Sequence, residues 1–203
     1  MKNNQELVEY LKNIGILKSP EIISAFNCID RIDFVKPEDK SFAYEDVPLS
    51  IGYEQTISQP LTVGFMIEEL EPKKGDTVLD IGSGSGWTTA LLSHIVGEKG
   101  IVIGLELVSE LIEFGRTNLQ KYKLNQARIE KSEKGILGKP GEKFNRILVS
   151  ASARKIPEDL IMQLENGGTL VIPVENSILK ISKDSDRIVN IQEFPGFVFV
   201  PLL

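Results

Sequence analysis

One cluster of residues in this chain has the types and spacing of ligand chemistry. It is Thr77-Val-Leu-Asp-Ile-Gly-Ser-Gly-Ser-Gly86, in which Asp80 stands just ahead of the alternating glycines Gly82, Gly84 and Gly86. Without a Cβ, such a turn lets backbone come close to a ligand. A phosphate-cradling dinucleotide turn has the form G-x-G-x-x-G, and counted from Gly82 its third glycine falls on Trp87, so that pattern is not met. An acid at the strand end suits a cationic ligand better than a phosphate. A second acid, Glu106, closes the apolar run Ile101 to Glu106, where a carboxylate at the end of a second strand accepts ribose hydroxyls. A tight strand-to-helix turn with no ligand explains the glycines alone; Asp80 and Glu106 together count against it. A further pair of hydroxyls, in Thr56-Ile-Ser58, precedes Pro60 and reads from the residues alone as a helix cap.

The elements that must hold these residues follow from periodicity. Val78, Leu79 and Ile81 form the short apolar run of a strand covered on both faces, and Trp87 to Val96 has helical spacing. Upstream, Asn3 or Asn4 caps a helix with Leu7, Leu11 and Ile14 on one side, ended by Gly15. Ser19-Pro20 caps a second helix that reaches about Asp30. Arg31 to Ser58 has no sustained period and many aromatic and turn residues, as functional loops do. Pro60 opens a helix with Val63, Met66, Ile67 and Leu70 on its apolar side, stopped by Pro72. Beyond Glu106 the pattern alternates: a helix at 109–122, strands at 127–131 and 145–150, a helix at 157–164 and a strand at 169–174. That alternation means a parallel sheet covered by helices. Ile178 to Ile181 and Ile188 to Phe199 are expected as closing antiparallel strands, joined by the turn Lys183 to Asp186.

Composition bounds the function. At 203 residues, with 41% hydrophobic and 26% charged residues, the chain fits one globular domain. A net charge of -6 advertises no basic patch for nucleic acid. Neither an apolar leader nor a run of membrane-spanning length is seen, so a soluble cytoplasmic protein is expected. The single cysteine, Cys28, lies in an apolar helical stretch and is read as packing; it excludes an internal disulfide and a cysteine zinc cage. His94, the single histidine, is read as structural, which leaves no Ser-His or Cys-His machinery.

The motif D-x-G-x-G-x-G followed by an acid-ended strand resembles motif I of the S-adenosylmethionine-dependent methyltransferases. The segment Ala43-Tyr-Glu-Asp-Val-Pro-Leu-Ser-Ile-Gly-Tyr-Glu-Gln-Thr-Ile-Ser-Gln-Pro60 is more selective. It resembles the A-[YW]-x-D-x-x-L-P-I-G-x-G-Q-T-I-S-[QA]-P loop of the protein-L-isoaspartate O-methyltransferase family. Gly104 to Leu111, Val149 to Ile172 and Phe199-Val-Pro-Leu202 extend the likeness over nearly the whole chain.

The resemblance implies an α/β, Rossmann-like methyltransferase fold: a mostly parallel, twisted, seven-stranded sheet with helices on both faces and an N-terminal helical extension. One domain over 1–203 is expected, with 1–60 giving the N-terminal helices and substrate loop and 61–203 the Rossmann-like core. The implied reaction moves a methyl group from S-adenosylmethionine to the free carboxylate of L-isoaspartyl residues in damaged proteins, leaving S-adenosylhomocysteine. Ser58 and Thr56 are the implied catalytic residues. Ile57, Ser58, Asp80, Gly82, Ser83, Gly84, Gly86, Glu106, Leu107, Lys134, Gly135 and Ser150 are implied at the cofactor, with Ser150 to Ala153 as the floor. Leu49, Ile51, Gly52, Gln55, Val198 and Val200 are implied at the substrate. No metal is expected, and the partners are isoaspartyl peptides and proteins, met by a monomer without nucleic acid or membrane. A carboxylate acceptor is ionised at neutral pH, so no general base is needed.

The chain departs from the family at Ser50 for proline, Glu54 for glycine, Glu133-Lys134-Gly135 for G-D-G, and Asn145 for an acid. A carboxylate at Glu54 would repel an anionic acceptor if it faced one. Lysine offers no acceptor to an adenine amino group. These changes keep open a different carboxylate acceptor, or a module that binds modified peptides without turnover.

Overall fold

The computed structural model describes residues 1–184 and 187–202. At the N-terminus, helix α1 (Asn4–Asn13) is capped by Asn3, whose side chain accepts from the Glu6 amide at 2.9 Å. It buries Leu7, Val8 and Leu11, whereas Ile14, expected on that stripe, is the C-cap residue and is exposed. Helix α2 (Pro20–Cys28) starts at its proline with Ser19 at the N-cap position as expected, but the Ser19 side chain makes no cap bond. The Ser19 hydroxyl instead donates to Glu68 at 2.7 Å, and the same carboxylate accepts from the Lys18 and Ser19 amides. A tertiary partner has outbid the local one. Cys28 is exposed, contrary to the packing expectation, because Ile22, Ala25 and Phe26 form the face that meets the core.

The segment expected as an aperiodic loop contains two short 3-10 turns, Arg31–Phe34 and Pro37–Phe42, and a hairpin of β1 (Leu49–Gly52) and β2 (Gln55–Ile57). Tyr53 and Glu54 close the hairpin, both with φ near +60° (54° and 59°). Two left-handed residues in succession give the turn that matches strand twist, and Asn-Gly is the usual pair there; this chain uses two larger side chains. Helix α3 (Pro60–Leu70) buries Val63, Met66, Ile67 and Leu70 as the period requires and stops at left-handed Glu71 before Pro72. Its N-cap position is Gln59, with no side-chain cap bond, so neither Thr56 nor Ser58 caps it.

Then follow β3 (Thr77–Ile81), α4 (Trp87–Val96), β4 (Ile101–Glu106), α5 (Ser109–Gln120), β5 (Ala127–Lys131), β6 (Phe144–Val149), α6 (Glu158–Met162), β7 (Leu164–Val174), β8 (Ser177–Asp184) and β9 (Arg187–Pro195). The sheet order is β5-β4-β3-β6-β7-β8-β9. Pairing is parallel from β5 through β7 and antiparallel at β7–β8 and β8–β9, so β8 alone runs against the rest. Of the turn expected at Lys183 to Asp186, Ser185 and Asp186 lie outside the described residues. Asn145 is no cofactor feature: its Oδ1 accepts from the Thr77 amide at 2.8 Å, at the amino end of β3.

Alternate residues of the strands feed two cores. Val78, Val102, Leu148 and Val171 face α1 to α5, and Leu79, Ile103, Ile147 and Leu170 face α6 and the segment around Leu137. Helix α5 lies close against the glycine turn because Gly115 has no side chain. A Cβ there would sit 2.6 Å from Ile129 Cδ1 and 2.9 Å from the Gly84 carbonyl. Alanine at this position gains about 1 kcal/mol of helix propensity, but the backbone clash outweighs it. Gly115→Ala is therefore expected to destabilise the protein by about 1–3 kcal/mol, as overpacking does, and to lower Tm by several degrees. A Tm equal to or above that of the parent protein in a thermal melt would contradict the contact.

Candidate active site

Strand order reverses at β3, with β4 and β5 on one side and β6 onward on the other. Ligands of open α/β sheets bind outside the carboxyl ends of the strands at such a switch point. A cavity of about 280 Å³ opens there, lined by Ile81, Gly82 and Gly84 after β3, Leu105 to Val108 at β4, Ser132 after β5, and Ser150 and Ala151 after β6. Its remaining wall is made by Ile51, Gln55 and Thr56 of the hairpin, by Gly135 to Leu137, and by Val200 to Leu202.

Glu106 is the anion at its centre, 8% exposed. Its Oε2 accepts from the Gly84 amide at 2.9 Å, and Oε1 accepts from Leu107 and Val108 at 2.8 and 3.0 Å. Among the described residues no cation pairs with it, so backbone N–H groups satisfy the charge. A carboxylate has about four acceptor sites, and three N–H groups leave capacity toward the cavity. Gly84 reaches its bond at φ 49°, and a Cβ on it would lie 3.0 Å from Ile51 Cδ1, inside the space between turn and hairpin.

Asp80 does not reach the strand tip. It is fully buried below the turn, where Oδ2 accepts from the Thr89 hydroxyl at 2.6 Å and Oδ1 has no partner among the described residues. Burial pushes its carboxyl up to about 7; the Thr89 bond opposes this and the nearby Glu106 charge adds to it. Ser83 is likewise buried, with an unpartnered hydroxyl.

The hairpin is held from beneath by Arg31, which is entirely buried. Its Nη1 donates to the carbonyls of Ala43 and Glu45 at 2.9 and 3.0 Å, and Nη2 donates to those of Val47 and Ser58 at 2.9 and 3.1 Å. Burial lowers its ionisation to about 10, opposed by Asp46, so it stays charged at neutral pH. Opposite the hairpin, the C-terminal segment pairs with the loop after β6. Ser152 N donates to Val200 O at 2.8 Å and Leu202 N to Ser152 O at 2.9 Å.

Of the expected site residues, Ile51, Gln55, Thr56, Gly82, Gly84, Glu106, Leu107, Gly135, Ser150 and Val200 converge on this cavity. Leu49, Ile57 and Ser58 sit in or beside the hairpin without lining it, Ser58 being half-buried with a hydroxyl that bonds nothing among the described residues. Gly52 lies next to Ile51, with Lys36 Nζ over it. Gly86 packs under α5. Val198 is 88% exposed, away from the lining. Lys134 is also exposed and outside the lining, as is Glu54. Sequence reading missed Ile81, Leu105, Val108, Ser132, Ile136, Leu137 and Leu202; the apolar strand ends were the signal for the first three. It also missed that Ser24 Oγ and His94 Nε2 lie 3.1 Å apart across α2 and α4. That pair ties two helices together outside the cavity.

A parallel sheet with this switch point, glycine turn and strand-end acid defines the Rossmann-like methyltransferase fold. The protein-L-isoaspartate(D-aspartate) O-methyltransferase family matches residues 2–203, and the chain belongs to it. It is 40% identical to a protein-L-isoaspartate O-methyltransferase of Thermococcus onnurineus over 97% of this chain and 91% of that one. The corresponding enzyme of Fervidobacterium nodosum is 39% identical over 97% and 99%. Among solved structures, a protein-L-isoaspartate O-methyltransferase of Plasmodium falciparum in complex with S-adenosyl-L-homocysteine superposes with a TM-score of 0.90 at 27% identity, covering 100% of this chain and 99% of that one.

Asp80 gives a pH signature. Its folded value near 7 lies above the unfolded carboxylate value of about 4. The stability it contributes is full below about pH 4 and is lost as pH rises through 7, because the folded state keeps a proton the unfolded chain has released. The stability of Asp80→Asn minus that of the parent protein should therefore grow from pH 4 to 7 in denaturant titrations. A difference independent of pH would contradict the buried, unpaired carboxyl.

Proposed function

We propose that this chain methylates the free carboxylate of L-isoaspartyl residues, with S-adenosylmethionine as donor. The observation that carries the reading is one cavity shared by the Glu106–glycine turn and the Thr56 hairpin. The residues fit the donor: Glu106 has acceptor capacity for ribose hydroxyls, Gly82 and Gly84 leave room for close approach, and Leu107, Val108, Ile136 and Leu137 offer an apolar wall to a flat base. S-adenosylmethionine supplies a methyl group whose carbon–sulfur bond breaks as the carbon–oxygen bond to the acceptor carboxylate forms, giving a methyl ester and S-adenosylhomocysteine.

The protein's own work is positioning, worth several powers of ten when reacting atoms are aligned. Thr56 and Ser58 supply hydroxyls from the hairpin and its foot, and Ile51, Ile81, Val200 and Leu202 exclude water. Gln55, with backbone of Leu49 to Gly52 and Val198 to Val200, holds the peptide. Glu54 and Lys134 are exposed, which supports reading them as surface changes with no bearing on donor or acceptor. The reading also makes the protein a cytoplasmic monomer of one domain, meeting neither nucleic acid nor membrane. A net charge of -6 supports the reading that nucleic acid is not a partner, and among the described residues no helix is long and apolar enough to cross a bilayer.

Paired peptides differing only in an isoaspartyl or aspartyl residue test it. Methyl transfer from S-adenosylmethionine is expected to the first and not the second; transfer to neither, or to both equally, would overturn the substrate assignment. Ser58→Ala should lower kcat by roughly ten- to a thousandfold, as a lost transition-state hydrogen bond does, with Tm nearly unchanged. Full activity with a much lower Tm would make Ser58 structural.

A further inference from the structure

Arg31 is a buried cation placed where charge is costly. No carboxylate forms an ion pair with it among the described residues, Nε has no partner, and its other donors go to four carbonyls. An apolar side chain in its place would leave four carbonyls without a donor, so the geometry the guanidinium enforces is the feature to explain. One nitrogen, Nη2, bridges the carbonyls of Val47 and Ser58, the residues that flank the β1–β2 hairpin on either side. The guanidinium also lies over the Trp87 ring, 5.4 Å from its centroid, and Trp87 is the residue after the glycine turn. A single planar group thus touches both feet of the hairpin and the end of the turn. Between these contacts, Ile51 Cδ1 of the hairpin packs against Gly84 of the turn, 3.0 Å from where a Cβ would stand.

Resting on the function proposed above, we propose that Arg31 is a positioning residue for methyl transfer: it fixes the hairpin that presents the acceptor at a set distance from the turn that holds the donor. Its planar fork suits the task, because each terminal nitrogen donates in two directions within one plane. Lysine cannot replace it, since the three donors on one ammonium nitrogen cannot serve all four carbonyls.

The test compares the parent protein with Arg31→Lys, using an isoaspartyl peptide for turnover and calorimetric titration with S-adenosylhomocysteine for the donor site. Expected is a fall in kcat of about 10- to 100-fold, the effect of a small misplacement of reacting groups, with the S-adenosylhomocysteine Kd and peptide KM each within about threefold. An unchanged kcat overturns the proposal, and so does a parallel loss of S-adenosylhomocysteine binding, which would mark a general structural role. Should Arg31→Lys fail to fold, Arg31→Gln, with a neutral head carrying two N–H donors, takes the same comparison with the same outcomes. A parent protein that binds S-adenosylhomocysteine yet leaves the isoaspartyl peptide unmethylated would instead sink the function on which the proposal rests.

Discussion

The site depends on an anion satisfied without a cation. Glu106 closes β4 with its carboxylate held by the amides of Gly84, Leu107 and Val108. That arrangement joins the turn after β3, the end of β4 and the start of α5 through one side chain. Because the charge is met by N–H groups of fixed backbone, the carboxylate is oriented before any ligand arrives, and preorganised groups avoid the cost of ordering on binding. It also dictates the local sequence. Gly84 must bring its N–H around at positive φ, and α5 must come close enough for Gly115 to touch the turn.

A second constraint acts on the opposite wall. The hairpin is short, exposed at its tip and attached to the sheet by little of its own pairing, yet it contributes Ile51, Gln55 and Thr56 to the cavity. Buried polar groups below it supply the rigidity: Arg31 gathers four carbonyls, and Asp46 accepts from the Leu61 amide at the first turn of α3. Further back, Tyr122 of the segment after α5 donates to Asp33 at 2.6 Å and accepts from the Asp30 amide, tying the Arg31 turn to the Rossmann-like core. Backbone that would otherwise move is thereby held against the switch point of the sheet.

What the sequence disclosed and what it hid divide along the range of the forces. The bounds of β3 and β4 were legible because a strand buried on both faces is a short, mostly apolar run, and β3 ends at a glycine turn. Glu106 and Thr56 were legible from motif, but the hairpin that carries Thr56 was not, since its segment has no sustained period. Ser19 holds the cap position it was given, but a local rule cannot see Glu68 arriving from α3 to take its hydroxyl, and the Thr56–Ser58 pair was misread as a cap because Gln59 occupies that position. Cys28 was misread because helical period gives a face, and the end residue of α2 falls off it. Arg31 was invisible as a site element: an arginine in an aperiodic stretch reads as solvated until its carbonyl partners, distant in sequence, are assembled. The wall from Ser132 to Leu137 was hidden for a similar reason, and its departures at Glu133 and Lys134 are exposed side chains.

The central claim, that the Glu106 carboxylate is the organising group of a donor site, is tested most directly by calorimetric titration of S-adenosylhomocysteine into the parent protein and Glu106→Gln. The account predicts saturable binding to the parent protein and a loss of about 10- to 100-fold in affinity for the variant, as expected when a hydrogen bond to a charged group is weakened. Equal affinity in the two proteins, or no binding to the parent protein at millimolar ligand, would contradict it.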